Sequence, residues 1–83
     1  MYTEIIEKIY EEAKQKASNN KDRQAYIRPS EFGFESTCDG TRTCLELLEK
    51  DSRFKKVKMS GRDLLEITLY YEERSMENEA ANL

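Results

Sequence analysis

The first hydrophobic residues of the chain recur at steps of three and four positions, the spacing of one face of an α-helix. The members of this stripe are Ile5, Ile6, Ile9, Ala13 and Ala17. The pattern predicts an amphipathic helix over residues 3–17, with Thr3 as its N-cap. The helix is expected to end at residues 18–22, which contain no apolar side chain and several turn-forming residues.

A second helical pattern lies near the middle of the chain. Its apolar arc consists of Cys44, Leu45, Leu47 and Leu48. This arc predicts a helix over residues 41–51, with Thr41 or Asp39 as its cap.

The segment between these two helices contains the only proline of the sequence, Pro29. The apolar residues 25–27 stand just before Pro29, and this position favours extended backbone, so a short strand is predicted there. Residues 29–34 start with proline and contain Gly33 near their end, which predicts a short helix of a single turn or slightly more. Residues 35–40 form a polar connection to the second long helix.

After Phe54 the hydrophobic period changes from helical to alternating. The alternating apolar positions are Val57, Met59, Leu65, Ile67 and Leu69. Lys56 and Lys58 fall between them, and residues 60–63 carry a turn signal, so residues 54–71 are predicted to form a β-hairpin. The short strand before Pro29 can add a third strand. The fold class is therefore α+β, with three helices and a small antiparallel sheet of two or three strands.

The length of 83 residues limits the chain to one domain with a small core, and excludes doubly wound folds and barrels. We expect one domain over residues 1–71, followed by an acidic, mobile tail over residues 72–83. No apolar run is long enough to span a membrane, and the acidic N-terminus is unlike a targeting peptide. These features predict a soluble cytoplasmic protein.

Charge is distributed unevenly along a chain whose formal net charge is −3. Residues 42–62 contain seven basic and three acidic residues, a net charge of +4, whereas residues 63–83 contain one basic and six acidic residues, a net charge of −5. A locally basic segment favours docking onto a polyanion. The alternative is that the lysines only keep an exposed strand edge soluble.

Catalytic and metal chemistry have little support in the composition. The chain has no histidine and no glycine-rich phosphate loop, so we expect no enzyme activity, catalytic residue, cofactor or metal site. Cys38 and Cys44 do not match a zinc spacing. Cys44 is predicted to be a buried core residue, and a bond to Cys38 requires the two Cα atoms to lie within about 7 Å.

Aromatic residues cluster near the ends of the predicted elements and are expected at the core and its rim. They are Tyr26, Phe32, Phe34, Phe54, Tyr70 and Tyr71. Tyr2 and Tyr10 are expected outside the monomer core, where they either contribute to a dimer contact or lie on a simple amphipathic surface.

The order of helix, short strand, short helix, helix and hairpin over residues 3–71 resembles the winged helix-turn-helix DNA-binding family. The resemblance implies that residues 29–34 are the first helix of the pair, that residues 41–51 are the recognition helix in the major groove, and that residues 54–71 are the wing. The small size and acidic tail also resemble accessory proteins of plasmids and phages. The short first helix and the long connection over residues 35–40 depart from the family pattern.

This resemblance implies a double-stranded DNA-binding protein, a regulator or an architectural accessory of a mobile element, acting as a homodimer. The residues assigned to DNA contact are Ser36, Thr37, Arg42, Thr43, Lys55, Lys56, Lys58, Ser60 and Arg62. Arg42 suits a guanine edge, and the lysines suit phosphates.

The alternative is a winged-helix-like module that binds protein, as an adaptor or a phage inhibitor, and does not bind DNA. The net charge, the acidic tail, Glu46 and Glu49 favour this alternative. On that hypothesis the lysines serve only solubility.

Overall fold

The structure is a computed structural model that describes residues 2–18 and 21–70. In chain order its elements are helix α1 (Tyr2–Ala17), strand β1 (Gln24–Ile27), a 3-10 turn (Pro29–Phe32), helix α2 (Cys38–Glu49), strand β2 (Phe54–Gly61) and strand β3 (Leu64–Leu69). The α+β class and the small antiparallel sheet are confirmed, and the sheet has three strands. Neither of the described α-helices has the length and apolar content needed to cross a bilayer. The predicted acidic tail over residues 72–83 lies outside the described residues.

Two of the three predicted helices are α-helices, and the middle one is a single 3-10 turn. Residues 29–32 form one 3-10 turn, and Gly33 ends it with φ 97°, a left-handed conformation that glycine adopts without strain. Pro29 begins the turn as expected, but Gly33 ends it after four residues, before an α-helix can form.

Helix α2 starts three residues earlier than predicted. Thr37, with extended backbone, is its N-cap, and the Thr37 side chain accepts a hydrogen bond from the Gly40 N–H at 3.0 Å. The predicted caps Asp39 and Thr41 therefore lie inside the helix. Helix α1 likewise starts before its predicted cap, Thr3. For α2 the sequence contains three residues that can cap a helix, Thr37, Asp39 and Thr41, so the pattern alone did not fix where the helix starts.

The sheet has the order β1-β3-β2, with β3 in the centre. Residues that alternate toward the helices form the core rows Ala25–Ile67–Val57 and Ile27–Leu65–Met59. Both helices pack on this side, because Ile9 and Ala13 of α1 and Cys44 and Leu48 of α2 share one buried cluster with these rows. The intervening rows, Gln24–Thr68–Lys56 and Tyr26–Glu66–Lys58, lie on the opposite side, which we call the outer face of the sheet.

The aromatic residues divide between the core and the outer face. Phe54 is buried, Phe32 and Phe34 pack against the core, and Tyr10 meets Phe54 edge to face at 5.8 Å, so Tyr10 is not outside the core as predicted. Tyr26 and Tyr70 were expected at the core rim but are 48% and 54% exposed. Tyr71 lies outside the described residues.

Candidate nucleic-acid interface

A buried threonine joins the start of α2 to the turn of the hairpin. The Thr41 side chain is fully buried, and its hydroxyl donates a hydrogen bond to the Arg62 carbonyl oxygen. The backbone just before Thr41 is also closely packed, because a Cβ atom added at Gly40 would overlap the Glu35 carbonyl group. The hairpin turn therefore packs onto the first turn of α2.

The Asp63 side chain links the hairpin turn to the 3-10 turn. Its carboxylate accepts hydrogen bonds from the Ser30 N–H at 3.0 Å and the Ser30 hydroxyl at 2.5 Å, and Arg28 lies 3.3 Å away. The Ser30 hydroxyl hydrogen bond is the main cause that holds the pKa of Asp63 below its ordinary value, with smaller contributions from the Ser30 N–H, Arg28 and Ser36. The hairpin turn is thus held by contacts with two elements, through Thr41 of α2 and through Ser30 of the 3-10 turn.

These contacts gather six of the nine predicted DNA-contact residues around one end of the molecule, which we call the tip surface. They are Ser36, Thr37, Arg42, Thr43, Ser60 and Arg62. Because α2 begins here, its positive dipole end also faces this surface. The first turn of α2 and the hairpin turn therefore form one surface.

Four of those six side chains already have partners within the chain. Thr37 caps α2, Ser36 lies close enough to Asp63 to help lower the pKa of that carboxyl group, and Thr43 donates to the Asp39 carbonyl oxygen at 3.0 Å. Arg42 lies 3.6 Å from the Asp39 carboxylate but remains 59% exposed. Ser60 and Arg62 are exposed, and among the described residues their side chains have no hydrogen bond or ion pair.

The remaining three predicted residues, Lys55, Lys56 and Lys58, lie along β2 away from the tip surface. Lys56 and Lys58 project from the outer face, as predicted, since they pair with Thr68 and Glu66 across the sheet. Lys55 falls at a register irregularity between Phe54 and Lys56. All three are exposed. Lys55 and Lys56 line a surface recess together with Glu49 at the C-terminal end of α2, so they lie at the opposite end of that helix from the tip surface.

The hairpin lysines form no ion pair with a carboxylate of the described residues, although Glu49 lies in the same surface recess as Lys55 and Lys56. Within the described residues, ion pairs involve Lys16, Arg28, Arg42 and Arg53, and none involves a hairpin lysine or Arg62. Glu66 stands directly opposite Lys58 in the register, yet its carboxylate accepts from the Tyr26 hydroxyl at 3.3 Å instead. Four cations of the hairpin therefore remain available to an external anion.

Arg53, the other cation next to the hairpin, has a structural role. Its guanidinium donates to Glu7 at 2.8 and 2.5 Å and to Asp51 at 3.0 and 2.9 Å, and it stacks 4.4 Å from the Tyr10 ring centroid. The hydrogen bond from Arg53 holds the pKa of Asp51 below its ordinary value, and the bonds to Asp51 and Glu7 raise the pKa of Arg53. Arg53 thus fixes α1 to the connection between α2 and β2.

The two cysteines are both free, with Cys38 exposed and Cys44 buried as predicted. Burial raises the pKa of the Cys44 thiol to about 12, so this group stays protonated and unreactive at neutral pH. Across residues 2–18 and 21–70, no group of three or more acidic or cysteine side chains is placed to hold a metal ion.

Sequence reasoning missed the two groups that shape the tip surface, Thr41 and Asp63. The sequence offers Thr41 only as a possible helix cap and Asp63 only as part of a turn signal. Only their long-range partners, 21 and 33 residues distant in the chain, distinguish them. It also missed Arg28, which the Asp63 contact brings to the tip surface.

No protein-family model matches the chain. No curated protein and no solved structure matches it either. The functional argument therefore depends on the residues and their geometry.

Proposed function

We propose that this protein binds double-stranded DNA through the tip surface and the outer-face lysines of β2. The observation that carries the proposal is a set of four hairpin cations, Lys55, Lys56, Lys58 and Arg62, that form no ion pair with any residue the structure describes, on a chain with a net charge of −3. Neighbouring cations without ion pairs repel one another, so a phosphate contact relieves this repulsion and also releases condensed counterions.

The tip surface supplies the part of the proposed interface that approaches the groove. Arg42 and Arg62 flank the start of α2, where backbone N–H groups and the helix dipole favour a phosphate or a base edge. Lys58 lies in β2 and Arg62 follows the strand in the hairpin turn, four residues later, so the two are at most about 14 Å apart along the chain. That distance is close to the major-groove width of about 12 Å, so one duplex can contact both.

The winged helix-turn-helix assignment is part of the same proposal. The order of elements and the third strand contributed by residues 24–27 support it. The single 3-10 turn at residues 29–32 gives no α-helix in the place of the first helix of the pair. We therefore propose a reduced form in which α2 and the hairpin turn carry the recognition. Homodimerisation and a role as a regulator or accessory of a mobile element remain part of this proposal.

Fluorescence anisotropy with a random-sequence duplex tests the function directly. Four phosphate contacts predict a loss of affinity of about two orders of magnitude between 50 and 200 mM salt. Absence of binding at 50 mM salt would contradict the proposal.

A second candidate function is protein binding, favoured by Glu46 and Glu49. Both are exposed on α2, and neither forms an ion pair within the described residues. Their carboxylates lie on the helix that the DNA proposal places against phosphates. If the protein binds a basic protein partner instead, Glu46→Gln with Glu49→Gln will weaken that complex, whereas in the DNA proposal the same change strengthens duplex binding.

A further inference from the structure

Two exposed tyrosine rings have no aromatic or cationic neighbour in the part of the chain that the structure describes. They are Tyr26, which is 48% exposed, and Tyr70, which is 54% exposed. The other two described tyrosines, Tyr2 and Tyr10, each pack against a phenylalanine ring. Tyr26 and Tyr70 therefore retain a ring surface on which a flat ligand can stack.

Both rings belong to the outer face of the sheet. In the register, Tyr26 of β1 stands beside Glu66 of β3. Tyr70 directly follows β3, four residues after Glu66, so the strand alternation continued by one residue directs it to the same face. Four extended residues span at most about 14 Å. Since both described helices pack on the other side of the sheet, the two rings share one open surface.

Tyr26 is held in place at both of its ends. Its hydroxyl donates a hydrogen bond to the Glu66 carboxylate at 3.3 Å, and its backbone carbonyl oxygen accepts one from the Lys16 ammonium group at 2.9 Å. The ring is thereby tethered across β1 and β3. A tethered ring loses little conformational freedom when a ligand stacks on it, so less of the stacking energy is lost to ordering.

The same face carries cations. Lys58 stands opposite Glu66 in the outer rows and Lys56 stands opposite Thr68. Both lysines are exposed, and neither forms an ion pair with a described residue. Glu66 is the single carboxylate of these two rows, which therefore keep a net charge of +1.

Exposed aromatic rings beside cations are the combination by which proteins hold single-stranded nucleic acids, because the rings stack on bases while the cations contact phosphates. The bases of a duplex are stacked on one another and do not reach such rings. We propose that the outer face binds single-stranded DNA, with bases on Tyr26 and Tyr70 and phosphates on Lys56 and Lys58.

DNA is favoured over RNA because β2 runs on to Arg62 and the tip surface. A strand that parts from a duplex bound at the tip surface passes directly onto the outer face. This preference for DNA rests on the proposed function, whereas the stacking on the two tyrosines does not.

Fluorescence anisotropy of the full chain with a labelled oligothymidylate of about 12 nucleotides, at 50 mM salt, tests the site. Tyr26→Leu and Tyr70→Leu should each weaken binding about tenfold, the loss expected for one base–aromatic stack. Tyr26→Phe keeps the ring and should bind nearly as tightly as wild type. Tyr2→Leu is the matched control, because Tyr2 is also exposed but lies on α1, and it should leave the affinity unchanged. Urea unfolding checks that each variant is folded.

NMR gives a direct signature of stacking. The ring proton signals of Tyr26 are assigned by their loss in Tyr26→Phe. On addition of the oligothymidylate they should move upfield, because the ring current of a stacked base shields them. Tyr26 ring signals that stay in place when the oligonucleotide binds would overturn the proposal.

The variants also separate this site from the duplex site. Arg62→Ala should weaken duplex binding and spare the oligothymidylate, whereas Tyr26→Leu should do the reverse. Absence of oligothymidylate binding at 50 mM salt, or equal losses in Tyr2→Leu and Tyr26→Leu, would refute the single-strand site. Tighter binding of an oligouridylate of the same length would refute the assignment to DNA. If the duplex does not bind while the oligothymidylate binds and requires Tyr26, the proposed function fails and the single-strand site stands.

Discussion

The hydroxyl group of Thr41 and the carbonyl oxygen of Arg62 join the start of α2 to the hairpin turn across 21 residues of sequence. The Thr41 side chain is fully buried, whereas Arg62 is exposed, so the hydrogen bond is partly shielded from water. It fixes the relative position of the two elements that form the tip surface.

Thr41→Val should lower the free energy of unfolding by about 1 kcal/mol, because it removes the hydrogen bond from the Thr41 hydroxyl to the Arg62 carbonyl oxygen. Urea unfolding followed by circular dichroism measures the change. Thr43→Val is the matched control: Thr43 is exposed and water can replace its bond to Asp39, so the change should stay within about 0.5 kcal/mol. Equal effects of the two substitutions would contradict a special role for Thr41.

Gly40→Ala should destabilise the protein although alanine is the better helix former. The added Cβ atom would overlap the Glu35 backbone, and overpacking of this kind costs about 1–3 kcal/mol. Gly33→Ala has open space around the new methyl group, so only its positive φ opposes the change, at about 1 kcal/mol. Thermal or urea unfolding should rank Gly40→Ala as the more harmful, and the reverse order would reject the close approach to Glu35.

Asp63 should make the free energy of unfolding decrease as the pH becomes acidic. The pKa of Asp63 is lower in the folded protein than its ordinary value of 3.8, so its stabilising contribution is complete above that pH and is lost as the pH falls through the folded-state pKa. Asp63→Asn should flatten the decline of unfolding free energy below about pH 4. Ser30→Ala, which removes the main hydrogen-bond donor, should flatten it in part. If the unfolding free energy of Asp63→Asn falls below pH 4 as steeply as that of the wild type, Asp63 is not the source of the acid sensitivity.

Lys58→Ala and Arg62→Ala should each weaken duplex binding for every sequence tested and reduce the salt slope by about 0.9, the expected loss of one phosphate contact. The measurement is anisotropy over a series of salt concentrations. Lys8→Ala removes the same charge from the exposed surface of α1 and serves as control. If Lys8→Ala has the same effect as Lys58→Ala, binding depends on total charge and not on the hairpin.

Arg53→Lys should reduce stability by about 1 kcal/mol while leaving the salt slope of duplex binding unchanged. Lysine cannot reproduce the forked contacts to Glu7 and Asp51, and because the Arg53 side chain is 35% exposed the loss stays modest. Urea unfolding and the salt series measure the two quantities. A changed salt slope would show that Arg53 also contacts DNA.

The sequence by itself determined the main elements and the direction in which their side chains point. A period of three to four residues defined α1 and α2, and a period of two placed Lys56 and Lys58 opposite Val57. These features are local, because the geometry of a helix or strand converts spacing directly into faces.

Only the tertiary structure decided how these elements form the candidate site. Thr41 and Asp63 bind partners more than twenty residues away, and Glu66 turns to Tyr26 although Lys58 stands opposite it. The availability of a cation depends on which carboxylates the fold brings near it, and that is why the sequence could not separate Arg53, which is bound, from Lys58, which is free.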